Sequence, residues 1–296
     1  MAGRVTRNLA EALARPPLLG LVAFLTILLW RPVAHSLTML VHELFAGPSR
    51  IAVSFALGAV GFALMWRGFK QSESAATVLG ILAGSLIWTG WFEQGFNGFA
   101  AALGVQPLTW RGFTLFTPGL LMIEASVVLM LGMLILLGAN KDTQCRMFMW
   151  FHRHLRIWPG RKTAGYQRQI ARVTTLEYLF VVWFFYVLNI VIFDPRVLGP
   201  EHPGAMVMLA LIAVWGVYLI GKLTKIRGSG LALRYAIPCV GCVWLLIESA
   251  SAMRLFREIW LEPLAFPVTM GIWAIVAAAL FLGYPRLKGP ADAPGA

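Results

Sequence analysis

The residues best suited to chemistry in this sequence are carboxylates that interrupt long apolar segments. The chain holds 13 acidic residues, and Glu93, Glu124 and Glu248 fall within or at the ends of such segments. An ionised carboxylate in hydrocarbon costs about 2.5–3.5 kcal/mol even on lenient insertion scales. Each of these acids therefore needs a partner or a polar cavity. All three are candidates for binding a substrate or an ion.

Two further residues belong to this candidate binding set. Arg31 interrupts the first apolar segment, where its guanidinium can snorkel outward, pair with a glutamate or bind an anionic headgroup. Asn97 lies in the string Trp88–Phe99, which is rich in glycine and aromatic residues. Its amide, like the carboxylate of Glu93, needs hydrogen-bond partners. The string is interpreted as a substrate-facing wall or, alternatively, as an interfacial aromatic belt.

A weaker pattern near the end of the first apolar segment suggests a transition metal, with His35, His42 and Glu43 as candidate ligands. Imidazole and carboxylate groups are common ligands of such metals. The pattern is incomplete, because the histidines are seven residues apart, which is about 10 Å along a helix. In addition, Ala46 stands where an H-E-x-x-H motif requires a second histidine. The sequence identifies no cofactor.

The elements that position these side chains are predicted to be membrane-spanning helices. The chain has 296 residues, of which 59% are hydrophobic and 13% are charged, whereas about 25% of a soluble domain is charged. About 20 apolar residues cross the hydrocarbon core of a bilayer. The predicted spans are Leu18–Leu40, Ile51–Trp66, Ala75–Phe96, Pro118–Gly138, Thr175–Phe193, Ala205–Leu223, Leu233–Met253 and Ala265–Tyr284.

A basic loop at residues 140–173 sets the predicted orientation of these spans. Lysine and arginine close to span ends mark the cytoplasmic side of a membrane, and such residues also attract anionic lipid headgroups. Because the basic residues flank apolar segments rather than a soluble domain, lipid is the predicted partner and nucleic acid is not. Counted outward from this loop, the other predicted cytoplasmic segments are residues 1–17, 67–73, 222–234 and 286–296.

The resulting prediction is an all-α membrane bundle, a single transmembrane domain over residues 1–296 with eight spans and both termini in the cytoplasm. The compact loops favour a bacterial inner membrane. In this topology Glu124 and Glu248 lie roughly 7–9 Å below the extracytoplasmic surface, at a rise of about 1.5 Å per residue. Glu93 closes its span on the same side. The three acids are therefore predicted to share one layer with the histidines of the first span.

Three interpretations of this layer remain open from the sequence. The acids can pair with arginines such as Arg31 and lock helices together, as in a structural or assembly subunit of a membrane complex. They can line a route for a proton, a cation or a small solute, as in a transporter or permease. They can also serve a membrane-embedded enzyme or redox subunit that binds a metal, a lipid or a quinone. The transporter is the favoured interpretation, because buried acids at matched depth on separate helices are costly to maintain.

Overall fold

Apolar helices form almost the whole described chain. The computed structural model describes residues 10–138, 142, 154–156, 160, 161 and 163–292. Seven of its helices are long and apolar enough to cross a membrane. They are α1 (Leu18–Leu44), α2 (Gly47–Gly68), α3 (Glu73–Ile87) continued by a π-helical turn (Trp88–Glu93) and α4 (Gln94–Ala102), α7 (Ile170–Phe193), α8 (Pro203–Leu223), α9 (Ser229–Ala252) and α10 (Pro267–Gly283) with a 3₁₀ turn (Tyr284–Arg286).

The eighth predicted span is a bent pair of helices, α5 (Pro118–Ala125) and α6 (Val127–Gly138), with an angle of 43° between them. The bend lies at Ser126, whose hydroxyl donates to the carbonyl of Ile123 at 2.6 Å. Such local side-chain bonding to the backbone competes with the helical ladder and bends helices. The same hydroxyl accepts a hydrogen bond from the indole of Trp183 on α7 at 2.8 Å. The described residues therefore contain seven candidate spans, or eight if this pair crosses as one.

A β-hairpin between α4 and α5 is the one sheet in the described chain, and it was not predicted. Strand β1 (Leu108–Trp110) pairs antiparallel with β2 (Phe113–Phe116). Arg111 and Gly112 connect them, with φ angles of +50° and +82°. Positive φ at both positions of a two-residue connection is typical of the turns that match strand twist. The Arg-Gly dipeptide between aromatic and β-branched residues was the available signal.

The helices form an interior group and a peripheral group. Helix α3 packs between α2 and α7, and α9 packs between α1 and α8. The peripheral helices α2, α8 and α10 direct large apolar side chains outward, as expected for surfaces that contact lipid rather than water. Among these exposed side chains are Ile51, Phe55, Leu211, Val214, Val217, Val268, Ile272 and Ile275. The helices and their apolar exteriors together indicate a multi-pass membrane protein.

Segments predicted to lie on the cytoplasmic side meet at one end of the bundle. The Asp292 carboxylate, close to the C-terminus, accepts hydrogen bonds from the backbone N–H and the hydroxyl of Ser229 at 3.0 and 2.6 Å, and so caps the start of α9. The Ser229 hydroxyl also contacts Ser74 at the start of α3. Nearby, Arg234 pairs with Glu73 at 2.8 Å. Residues 1–9, 293–296 and most of 139–162 lie outside the described residues.

Loops predicted on the opposite side meet at the other end. Arg196, in the connection between α7 and α8, pairs with Glu124 on α5 at 2.9 Å. Arg111, in the hairpin turn, pairs with Glu201 in the same connection at 2.7 Å. The alternation of loops between the two ends therefore agrees with the order of spans read from the sequence.

Candidate functional site

Arg31 is the centre of a buried polar cluster inside the bundle. It lies at the midpoint of the 27-residue helix α1, and only 8% of its surface is exposed. Its guanidinium carbon lies 5.5 Å from the centroid of the Trp244 ring, within the range of a cation–π contact. Its side chain also hydrogen-bonds Tyr178 on α7 and interacts electrostatically with both Glu93 and Glu248. The cluster thus reaches deeper into the bundle than the predicted outer layer.

Glu248 lies on α9, and polar groups from three helices surround its carboxylate. Trp244, one turn earlier on α9, donates its indole N–H to Oε1 at 2.5 Å. Asn189 on α7 donates to Oε2 at 3.2 Å, and Nε2 of His35 on α1 lies 3.5 Å from Oε1. The Glu248 side chain is 16% exposed. Its immediate partners are an indole, an amide and an imidazole rather than a cation of fixed charge.

Glu93 approaches the same cluster from the last position of the π-helical turn. Its Oε2 accepts a hydrogen bond from the hydroxyl of Thr38 on α1 at 3.1 Å, and Thr38 lies 3.3 Å from Thr89. Gly90, in the same turn, packs so closely on α2 that an added Cβ would collide with the carbonyl of Ser54. π-Helical turns are rare and often occur at functional sites. Here the turn orients Glu93 toward α1.

Asn97 and the proposed metal ligands lie beside this cluster and have separate partners. Asn97 donates to the backbone carbonyl of Glu93 at 2.9 Å and lies 3.4 Å from Nε2 of His42. His35 instead faces Glu248, and Glu43 is exposed. Because the two histidines lie two turns apart, about 10 Å along one helix, they have different neighbours. Within the described residues, no three histidine, cysteine, aspartate or glutamate side chains are arranged to hold a metal ion.

Glu124 is not part of the cluster around Arg31. Its Oε2 pairs with Arg196, which also binds Asp194 at the end of α7 through its side chain and backbone N–H. These hydrogen bonds from Arg196 lower the pKa of the buried Asp194 carboxyl. Glu124 was grouped with the other two acids by its position along its span. The direction in which it faces was not available from the sequence.

The lowered pKa of Asp194 predicts how the stability of the fold depends on pH. A carboxyl whose folded pKa is depressed stabilises the fold above its unfolded pKa of about 3.9, and this contribution is lost as the pH falls through the folded pKa. Because Arg196 is 60% exposed, the expected contribution is only about 1 kcal/mol. We expect Asp194→Asn to lower the melting temperature in detergent at pH 7. The difference from wild type should shrink as the pH is lowered from about 5 toward 2; a constant difference would contradict this account.

Sequence reasoning missed four residues of the cluster: Tyr178, Tyr186, Asn189 and Trp244. The ring of Tyr186 stacks on His35 and on Trp88, with centroid distances of 6.2 and 5.4 Å. A signal was present, since the two tyrosines and the asparagine interrupt an otherwise apolar span. These polar residues lie on a helix of which 15 of the 24 residues are buried.

The charge balance of the cluster defines what it can do chemically. It contains one guanidinium, from Arg31, and two carboxylates, from Glu93 and Glu248. The cluster is therefore neutral when it holds one proton, on either acid or on His35. This neutral state is favoured, because an uncompensated charge is costly in a low-dielectric interior.

No known protein family, curated protein or solved structure matches this chain. The argument for function therefore rests on this geometry.

Proposed function

We propose that this membrane protein translocates protons, alone or coupled to a small solute or cation, and that Glu93 and Glu248 carry the proton. The observation that carries the proposal is that two buried acids from different helices share the electrostatic influence of one arginine. Such a cluster holds one proton, which can reside on either of the two acids, and it can bind and release that proton. Chains of glutamate and histidine within membrane helices serve as proton relays.

The contrast with other acids in the chain supports this proposal over a structural role. Glu73, Glu124 and Glu201 each lie within 3 Å of an arginine nitrogen, as expected for ion pairs that fasten loops or helix ends. Glu93 and Glu248 instead accept hydrogen bonds from neutral groups. A carboxyl with neutral partners can bind and release a proton without breaking an ion pair.

The proposal includes an orientation, with the end that carries Asp292 and the 140–173 loop in the cytoplasm of a bacterial inner membrane. The basic residues of the loop support this assignment. In a Cys145→Ser background, a cysteine substituted for Arg161 should react with a membrane-impermeant maleimide in inverted membrane vesicles. Labelling in intact spheroplasts instead would reverse the orientation.

Proton flux through the purified protein tests the function directly. In proteoliposomes loaded with a pH-sensitive dye, a potassium diffusion potential set with valinomycin should drive protons inward when the protein is present. Liposomes without protein provide the background. A flux equal to that background would contradict proton translocation and favour a structural or enzymatic role.

A further inference from the structure

A small cavity beside Arg31 lies between Glu93 and His35, the histidine that faces Glu248. It has a volume of about 10 Å³ and lies between α1, the π-helical turn and α7. Its lining includes Arg31, Ala34, His35, Trp88 and Glu93. A space of about 10–15 Å³, measured with a water-sized probe, is the smallest that holds one water molecule. A carried solute of several heavy atoms is too large for it in this conformation.

Three buried nitrogen atoms around this cavity have no hydrogen-bond partner among the described residues. They are Nε of Arg31, Nε2 of His35 and Nε1 of Trp88. Arg31 and Trp88 are 8% and 4% exposed. By comparison, the indole of Trp30 nearby donates to Ser85 at 2.7 Å. Leaving a buried polar group unpaired costs about 1–3 kcal/mol, and three around one cavity indicate a bound molecule that both accepts and donates hydrogen bonds.

We propose that the cavity binds one water molecule, which links Glu93 to the His35–Glu248 pair and completes the proton route. When Glu93 is ionised, the water oxygen accepts from the N–H groups of Arg31 and Trp88, and its hydrogens are donated to Glu93 and to the imidazole. When Glu93 is protonated, its O–H replaces one of these two donors at the water oxygen, while the water still donates to the imidazole. Glu93 and His35 both line the cavity, and Nε2 of His35 lies 3.5 Å from Glu248. This inference deepens the proton-translocating function and depends on it for its purpose, but the water site itself can be tested alone.

The relay is balanced in protons. When the carboxyl of Glu93 gives a proton to the water, the water gives one of its own protons to the His35–Glu248 pair. The water is neutral before and after the transfer, and Glu93 has gained the negative charge that the other acid has lost. Arg31 stays protonated throughout, and its fixed charge keeps the transfer within a neutral cluster.

A variant that fills the cavity tests the water directly. Ala34 lines the cavity, and Ala34→Val adds two methyl groups without removing any polar atom. In infrared difference spectra, we expect wild type to show an O–H stretching band that shifts when H₂¹⁶O is exchanged for H₂¹⁸O. The band should be lost in Ala34→Val and retained in Ala59→Val, a control at an exposed position of α2. A wild-type spectrum without the band, or a band unchanged in Ala34→Val, would overturn the proposal.

A second variant removes one donor to the water. Trp88→Phe keeps an aromatic ring but deletes the unpaired N–H, and the proton flux should fall about fivefold, the effect of one hydrogen bond. Trp273→Phe is the matched control, because the Trp273 indole N–H is also buried and unpaired but lies on α10, outside the cavity lining. Its flux should equal that of wild type. Equal flux in both variants would exclude Trp88 as a positioning residue for the water.

The two assays separate the failure of this inference from that of the proposed function. If wild type moves protons but shows no ¹⁸O-sensitive band, the water link is wrong and the function stands. If the band is present but wild type moves no protons, the site exists and proton translocation is wrong.

Discussion

Replacing either cluster acid with glutamine is expected to reduce proton flux by at least about a hundredfold, the usual scale for removing a positioned proton-transfer group. Glutamine has nearly the size of glutamate, and its carbonyl oxygen can accept the hydrogen bonds from Thr38 or Trp244. It cannot bind and release a proton. Glu93→Gln and Glu248→Gln should therefore retain wild-type abundance in the membrane while proton flux in proteoliposomes is lost.

Glu177→Gln provides the matched control for these two variants. Glu177 lies on the spanning helix α7, and its side chain is 16% exposed, as is that of Glu248. Its partner is Arg168 at 3.8 Å, so it belongs to a separate ion pair. The control should stay within about twofold of wild-type flux, because an ion pair this loose contributes little. Normal flux in both cluster variants would show that Glu93 and Glu248 are structural.

The positions of the apolar helices could be predicted because hydrophobic length is a local property, whereas the count of seven or eight spans depends on the bent pair α5 and α6. Each predicted span overlaps an observed helix, and most helices extend only a few residues beyond the predicted bounds. The bend at Ser126 could not be predicted, because a serine can lie in a straight helix, and here its hydroxyl bonds the backbone of Ile123 while it accepts from Trp183, which is 57 residues away. The meeting of Ser229 with Asp292 has the same origin in distant packing.

The direction in which each candidate acid faces could not be predicted from the sequence. A residue count from the span end gives the height of a side chain along a helix, and on that basis Glu93, Glu124 and Glu248 were grouped together. Which way a side chain faces depends on the rotation of its helix, and helices that are apolar all round show little amphipathic pattern to reveal that rotation. Glu93 and Glu248 therefore converge on Arg31, while Glu124 faces Arg196.

Arg31 shows a further limit of the sequence. Its position within the first span identified it as unusual, but three roles were open: snorkelling, pairing and headgroup binding. In the structure Arg31 projects from α1 and is buried against α7 and α9, where it contacts Tyr178 and Trp244. Because these partners come from spans far along the chain, spacing within the first span could not have distinguished the three roles.

Removing the charge of Arg31 is expected to have the largest effect on stability. Arg31→Leu leaves two carboxylates without a compensating cation in the bundle, and breaking a buried charge balance in this way costs about 3–5 kcal/mol. The variant should be recovered in low yield and should melt earlier in detergent. Arg196→Leu is the control, because it removes an arginine that is 60% exposed, and exposed ion pairs contribute about 0–1 kcal/mol.

A second substitution makes this prediction specific to charge. In the double variant Arg31→Leu/Glu248→Gln, one negative charge is removed along with the positive one, so the cluster can again become neutral with a single proton on Glu93. We expect yield and melting temperature to recover much of the loss, because charge rather than side-chain volume limits the single variant. Proton flux should remain absent, since one of the two carriers is gone. If the double variant is no more stable than Arg31→Leu, Arg31 acts through its packing on Trp244 and Tyr178, and the two acids do not share its charge.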